Sequence, residues 1–148
     1  MMKIAIASDH GGFELKQEIL ALLNDMNVTF EDFGCYDKSA VDYPEYGFKV
    51  GEVVANKTFD RGILICGTGI GISIAANKVK GVRCALVHDV FSAQATREHN
   101  DSNVLAMGGR VIGPGLARQI VETWLTTEFM GAHHETRIEK IKQYEDVK

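Results

Sequence analysis

The chain predicts a three-layer α/β/α Rossmann-like domain, with a five-stranded parallel sheet and a helical tail at the C-terminal end. Three observations carry that expectation. Short apolar segments rich in β-branched residues alternate five times with segments of helical periodicity. The strand-like segments are apolar rather than alternating, as strands covered on both faces are. Each link between successive strands holds a helix-length segment, which suits right-handed crossovers between parallel neighbours.

The elements follow in order. Lys3 to Ser8 reads as the first strand, and Phe13 to Met26 as a helix with Leu15, Ile19, Leu22, Leu23 and Met26 on one face. Val28 to Phe33 is the second strand. Pro44, suited to a first helical position, opens a helix whose apolar stripe is Tyr46, Val50, Val53 and Val54. Gly62 to Ile65 is the third strand, followed by a glycine-rich turn and a helix from Ile72 to Lys80 closed by Gly81. Val82 to Val87 is the fourth strand, and Asp89 caps a helix reaching about Glu98. Asn103 to Met107 is the fifth. Pro114 then starts a helix expected to turn Leu116, Ile120, Val121, Trp124 and Leu125 inward. Residues 135–148 read as a charged helix with a thin stripe of Ile138, Ile141 and Tyr144, suited to clasping another subunit or to lying loosely on the surface rather than to a core.

The 148 residues suit one domain able to bury a full core, with 45% hydrophobic and 24% charged residues. A net charge of −4 with scattered Lys and Arg argues against nucleic-acid or membrane-surface binding. No apolar run approaches the roughly 18 residues of a membrane span. The start runs straight into a strand, without a secretory signal. Cys35, Cys66 and Cys84 lie far apart and lack metal-type spacing, so free thiols in a cytoplasmic setting are expected.

The most informative stretch is Gly62-Ile-Leu-Ile-Cys-Gly-Thr-Gly-Ile-Gly-Ile-Ser73. Glycines at 67, 69 and 71 let the backbone approach a ligand and aim N–H groups at it. The following helix N-terminus favours an anion and, where the thiol faces it, lowers the pKa of Cys66. A small anionic substrate and a proton-moving thiol follow as the first hypothesis, against the plainer reading of Cys66 as a small buried hydrophobe. The turn lacks the Gly-Lys-Ser/Thr of a Walker loop, and Ile72 stands where a dinucleotide fingerprint needs its third glycine.

Ligands of open α/β sheets sit beyond the C-terminal strand ends, near the reversal of strand order. Asp9, His10, Gly11 and Gly12 follow the first strand, and Cys66 ends the third. Arg97-Glu98-His99-Asn100 ends the helix after the fourth, and Gly108-Gly109-Arg110 follows the fifth. All of these are expected at that edge. Asp9 and His10 also suit helix capping, and His99 suits a helix C-terminus without further role. The His133-His134 pair has no partner at zinc-type spacing.

Six motifs in register then resemble a known family. They are Ser-Asp-His-Gly-Gly at 8–12, Asp-Tyr-Pro at 42–44, Cys-Gly-Thr-Gly-Ile-Gly-Ile-Ser at 66–73, Ala-Ala-Asn-Lys at 75–78, Arg-Glu-His-Asn-Asp at 97–101 and Asn-Val-Leu-Ala at 103–106. Together they resemble the type B ribose-5-phosphate isomerases, which are related to allose- and galactose-6-phosphate isomerases. The resemblance implies aldose–ketose isomerisation through an enediolate without metal or cofactor, by a homodimer or a dimer of dimers. By position it implies Cys66 as the base and His99 as the ring-opening acid. Thr68 and the N–H groups of Gly67, Gly69, Ile70 and Gly71 would hold the developing oxyanion. Asp9 would contact the ring-opening oxygen or neighbouring hydroxyls, with Asn100 nearby, and Tyr43 would line the pocket. His10, Arg110 and Arg137 would bind the phosphate. Some relatives place a glutamate further along the loop as base, where this chain has apolar Ile72. His133 stands where many relatives have a phosphate-binding Arg.

Two other readings stay open on the sequence. Asp89 lies about 20 residues past the glycine turn, where a nucleotide-binding domain holds its ribose acid. A non-catalytic sugar-phosphate sensor would use the same pocket. Within the isomerases, a hexose 6-phosphate is the alternative substrate.

Overall fold

The structure is a computed structural model that describes residues 1–147. Eleven main elements follow one another: β1 (Lys3–Ser8), α1 (Phe13–Asp25), β2 (Thr29–Asp32), α2 (Tyr43–Ala55), β3 (Arg61–Cys66), α3 (Ile70–Asn77), β4 (Cys84–Leu86), α4 (Val90–Asn100), β5 (Val104–Gly108), α5 (Pro114–Thr126) and α6 (His133–Asp146). The strands form one parallel sheet in the order β2-β1-β3-β5-β4. Strand order reverses between β1 and β3, so the crevice beyond their C-terminal ends is where a ligand is expected.

Alternate residues of one strand feed opposite layers. Ile4, Ile6, Ile63, Ile65, Leu105 and Met107 pack with Leu15, Ile19 and Leu23 of α1 and Ile120, Val121 and Trp124 of α5. Ala5, Ala7, Leu64, Cys66 and Ala106 face the other way, onto Val50 and Val54 of α2 and Ile72 and Ala76 of α3. Both faces of the central strands are therefore covered, which is why these strands carry continuous apolar runs.

The departures from the expected boundaries have local causes. β2 and β4 are shorter than their apolar runs, and both are edge strands with one neighbour to pair with. α3 spans 70–77 rather than 72–80. Gly69 starts it early by adopting φ +78° at the N-cap, a conformation that glycine reaches at no steric cost. Asn77 ends it early, because its side chain donates to the Cys84 carbonyl and accepts the Cys84 N–H, tying the last turn to β4. Leu116 is exposed instead of inward, and its neighbour Ala117 takes the core position. A short 3-10 turn at His10–Gly12 precedes α1, with the Asp9 carboxylate accepting the Gly12 N–H at 3.1 Å.

α6 begins at His133, two residues earlier than expected, and Lys148, counted in the expected helix, lies outside the described residues. It buries Ile138 and His134, while Ile141 and Tyr144 are 54% and 66% exposed. Its far end is held polar: Glu145 accepts the Gly81 N–H at 3.0 Å, and Asp146 pairs with Lys80 at 2.7 Å. Two of the three residues of the apolar stripe thus face outward. No helix among the described residues is long and apolar enough to cross a membrane.

Candidate functional site

The residues expected at the sheet's exit edge, where the strands end, divide into two groups. The first group assembles there. β1 and β3 are neighbours, with Ser8 in register with Ile65, and the Asp9 N–H donates to the Ile65 carbonyl at 3.2 Å. Asp9 and His10 therefore stand beside Cys66 at the reversal point. Cys66 is 4% exposed, and its Sγ accepts the Gly69 N–H at 3.1 Å. Thr68 Oγ1 accepts the Ile70 N–H at 3.2 Å. Two of the N–H groups expected to face an oxyanion, those of Gly69 and Ile70, are thus engaged by the loop's own atoms.

The walls of this crevice come from elsewhere in the chain. Tyr43, in the first turn of α2, lies against the loop so closely that a methyl group on Gly71 would stand 2.6 Å from its ring. The segment after β5 clamps the other side: Gly109 donates to the Cys66 carbonyl at 2.8 Å, and Arg110 to the Gly67 carbonyl at 3.0 Å. The Arg110 guanidinium lies over Gly67. His10 Nδ1 accepts the Val41 N–H at 3.2 Å, which leaves Nε2 as its outward donor. A cavity of about 210 Å³ is lined by His10, Gly11, Lys38, Gly109 and Arg110, with Glu14 paired to Lys38 at its rim. Lys38 was not singled out from the sequence. It sits in a polar loop with no periodicity to mark it.

The second group lies at the opposite edge, contrary to expectation for His99 and Asn100. The reason is geometric. α4 starts beyond the end of β4 and runs back along the sheet for 11 residues, about 16 Å at 1.5 Å per residue. Its last residues therefore reach the entry edge, where the strands begin. There Arg83, just before β4, donates to the Asn100 carbonyl at 3.0 Å and the Asp101 carbonyl at 2.8 Å. Arg97 anchors the same turn, giving Nη1–H bonds to Asp101 Oδ1 and the Ser102 carbonyl, both at 2.8 Å.

α6 brings His133, His134 and Arg137 to this edge. The His99 ring stacks on His134 with centroids 4.4 Å apart, and His133 tilts against His134 at 4.0 Å. Burial, then the charges of His133, His99 and Arg137, hold the His134 imidazole below its ordinary range. His133, Arg137 and His99 thus share one neighbourhood around the His134 ring. Sequence reading had weighed His134 only for metal spacing, and adjacent histidines in a helix gave no sign of this stacking.

Asp89 has a different role from the ribose acid of a nucleotide-binding domain. It caps α4, and its carboxylate accepts the Ser92 N–H at 2.6 Å and the Ser92 hydroxyl at 2.9 Å. Those bonds hold its pKa below the usual carboxylate value. The capping contribution is therefore complete above the unfolded pKa and is lost as pH falls through the lower folded one. Asp89→Ala is expected to lower the melting temperature slightly at pH 7, to leave turnover unchanged, and to lose its effect on melting in acid. Thermal melts across pH and steady-state rates check this; a large loss of turnover would return Asp89 to the site.

The chain's likeness to known proteins extends along its whole length. It is 62% identical over 146 residues to the YwlF protein of Bacillus subtilis, covering 98% of each chain. It is 48% identical over 145 residues to ribose-5-phosphate isomerase B of Escherichia coli, covering 98% of this chain and 97% of that one. The structure of Clostridium thermocellum ribose-5-phosphate isomerase B superposes with a TM-score of 0.96 at 52% identity, covering 98% of both chains. Residues 4–141 match the profile of the ribose/galactose isomerases. With the sheet order, the glycine turn and both edge clusters in place, the chain belongs to the ribose/galactose isomerase family.

Proposed function

We propose that residues 1–148 form a single isomerase domain that interconverts ribose 5-phosphate and ribulose 5-phosphate, with each site built by two copies of the chain. The relatives named ribose-5-phosphate isomerase B support the reaction, and they do not favour a hexose 6-phosphate. One observation carries the two-copy arrangement: Cys66 and His99 lie at opposite edges of one sheet, separated by the length of β3. Six residues at about 3.3 Å each put that length near 20 Å, too far for both to touch one pentose. A ring of exposed apolar side chains at the exit edge, Ile70, Ile74, Leu86, Phe91 and Val111, supports a docked second copy. The outward part of the α6 stripe, Ile141 and Tyr144, supports it too.

In this reading His99 of a second copy protonates the ring oxygen as the bond from C1 to that oxygen breaks, and the C1 hydroxyl gives up its proton to solvent, leaving the open-chain aldehyde. The Cys66 thiolate takes the proton from C2, and the C2–H electrons form the C1=C2 bond of an enediolate. Charge gathers on O1, where Thr68 and the N–H groups of Gly67 and Gly71 stabilise it. The thiol then returns the proton to C1 while the O2 hydroxyl proton moves to O1, leaving the ketose. Each proton removed is matched by one returned and C2 is oxidised as C1 is reduced, so the reaction needs no redox cofactor. Asp9 and the second copy's Asn100 orient hydroxyls, Tyr43 closes the pocket, and His10 and Arg110 take the phosphate with Arg137 and His133 of the second copy. A reaction on this central sugar phosphate suits a cytoplasmic enzyme.

Complementation tests the arrangement. Cys66→Ser and His99→Asn homodimers are each expected to be nearly inactive. Unfolded together in equal amounts and refolded, they should recover about a quarter of wild-type activity, because half of the dimers are mixed and each carries one intact site. A mixture no more active than its parents would overturn the shared site. A coupled assay across phosphorylated aldoses should show the highest kcat/KM with ribose 5-phosphate.

A further inference from the structure

One ionisable side chain at the exit edge has no part in the chemistry described above. His88 follows β4, and its Nε2 accepts the Gly108 N–H at 2.9 Å. The main-chain ladder between these strands reaches Val87, whose N–H donates to the Ala106 carbonyl at 3.0 Å. Beyond that point the imidazole replaces the missing main-chain acceptor.

The peptide it holds supports the glycine turn. Gly108 is in register with Cys66 across the β3–β5 pair. A methyl group on Gly108 would stand 2.7 Å from the Thr68 carbonyl, and one on Gly69 would stand 2.7 Å from the Met107 carbonyl carbon. Residues 68 and 69 therefore rest directly on the Met107–Gly108 peptide, and any shift of that peptide moves the turn. An imidazole accepts at Nε2 only when neutral with its proton on Nδ1. Burial favours that form, outweighing the opposing pull of the Asp89 carboxylate.

We propose that His88 is a positioning residue for the isomerisation. By accepting the Gly108 N–H it fixes the Met107–Gly108 peptide beneath Thr68 and Gly69, and thereby holds the Gly69 N–H on Cys66 Sγ. The inference rests on Cys66 being the base. Nothing in the glycine turn's own sequence points to it, since the two partners lie 20 positions apart.

The test compares His88→Gln, whose Oε1 reaches about as far as Nε2, with His88→Asn, whose Oδ1 falls short. On the assembled enzyme with ribose 5-phosphate, His88→Gln should retain most of kcat. His88→Asn should lose about 10–100-fold in kcat, the scale of a small misplacement of reacting groups, with KM little changed because the phosphate contacts lie elsewhere. Equal kcat in the two variants, whether high or low, would overturn the proposal. Amide hydrogen exchange on wild type and His88→Gln gives a second reading that does not depend on His88→Asn folding. Gly108 should be protected in both, and a fast-exchanging Gly108 in the folded wild type would overturn the proposal. Cys66→Ser run alongside keeps the two assignments apart: an active Cys66→Ser removes the base, whereas a graded Gln and Asn pair speaks to His88 alone.

Discussion

Cys66→Ser is expected to fold as the wild type does and to lose about 10²–10⁴ in turnover, the usual share of general acid–base catalysis. The fold survives because the change is nearly isosteric and the hydroxyl still accepts the Gly69 N–H that now bonds Sγ at 3.1 Å. Turnover falls because a serine hydroxyl stays protonated near neutral pH and takes a C–H proton far less readily than a thiolate. The same substitution should abolish exchange of the substrate's C2 hydrogen with D₂O, followed by proton NMR. Circular dichroism establishes that the variant is folded, and a coupled ribulose 5-phosphate assay gives the rate. Near-normal turnover in a folded Cys66→Ser protein would remove Cys66 from the base role and leave it a buried packing residue.

Deleting residues 132–148 is expected to abolish activity while the central sheet still folds. The deletion takes away His133, His134 and Arg137, and with them the stack that holds His99 in place. It removes little of the core, because Ile138 is the one hydrophobic side chain that α6 buries among the described residues. That burial is worth about 1.5–3 kcal/mol, a tolerable loss for a domain whose other hydrophobic clusters are built without α6. Losing the outward face of Ile141 and Tyr144 should also weaken association between copies. Sedimentation velocity and steady-state kinetics on the truncated chain read both effects. A truncated protein that stays fully associated and active would exclude α6 from the site.

Much of this molecule is legible from neighbours in sequence. The apolar runs at 3–8, 62–65 and 103–107, the helical stripe of α1, the Pro-led starts of α2 and α5 and the Asp89 cap all depend on local periodicity or on single capping residues. Those signals act over one or two turns, and the structure follows them closely. The glycine turn is legible for the same reason: strand, turn and helix N-terminus are contiguous, and Cys66 sits at their junction. The position of His99 and Asn100 was misjudged from sequence: they were expected at the exit edge, whereas α4, an 11-residue crossover helix, carries its last residues back to the edge where the next strand begins.

What depended on the tertiary structure involves partners far apart in the chain. The order β2-β1-β3-β5-β4 places β5, the last strand, against β3 and brings Arg110 over Gly67, a pairing that no local pattern encodes. Edge positions shortened β2 and β4, because a strand with one neighbour loses pairing at its ends. Lys16 reads as an ordinary polar position on α1, yet it is fully buried, with its ammonium on Asp32 at 2.7 Å and on the Cys35 carbonyl. A charge is tolerated in such a place only when paired, and that pairing exists only once α1, β2 and the following loop have packed together. His88 is the same case at the site itself: its acceptor finds the Gly108 N–H only after β4 and β5 align, so its place in the fold is a property of the sheet rather than of any segment.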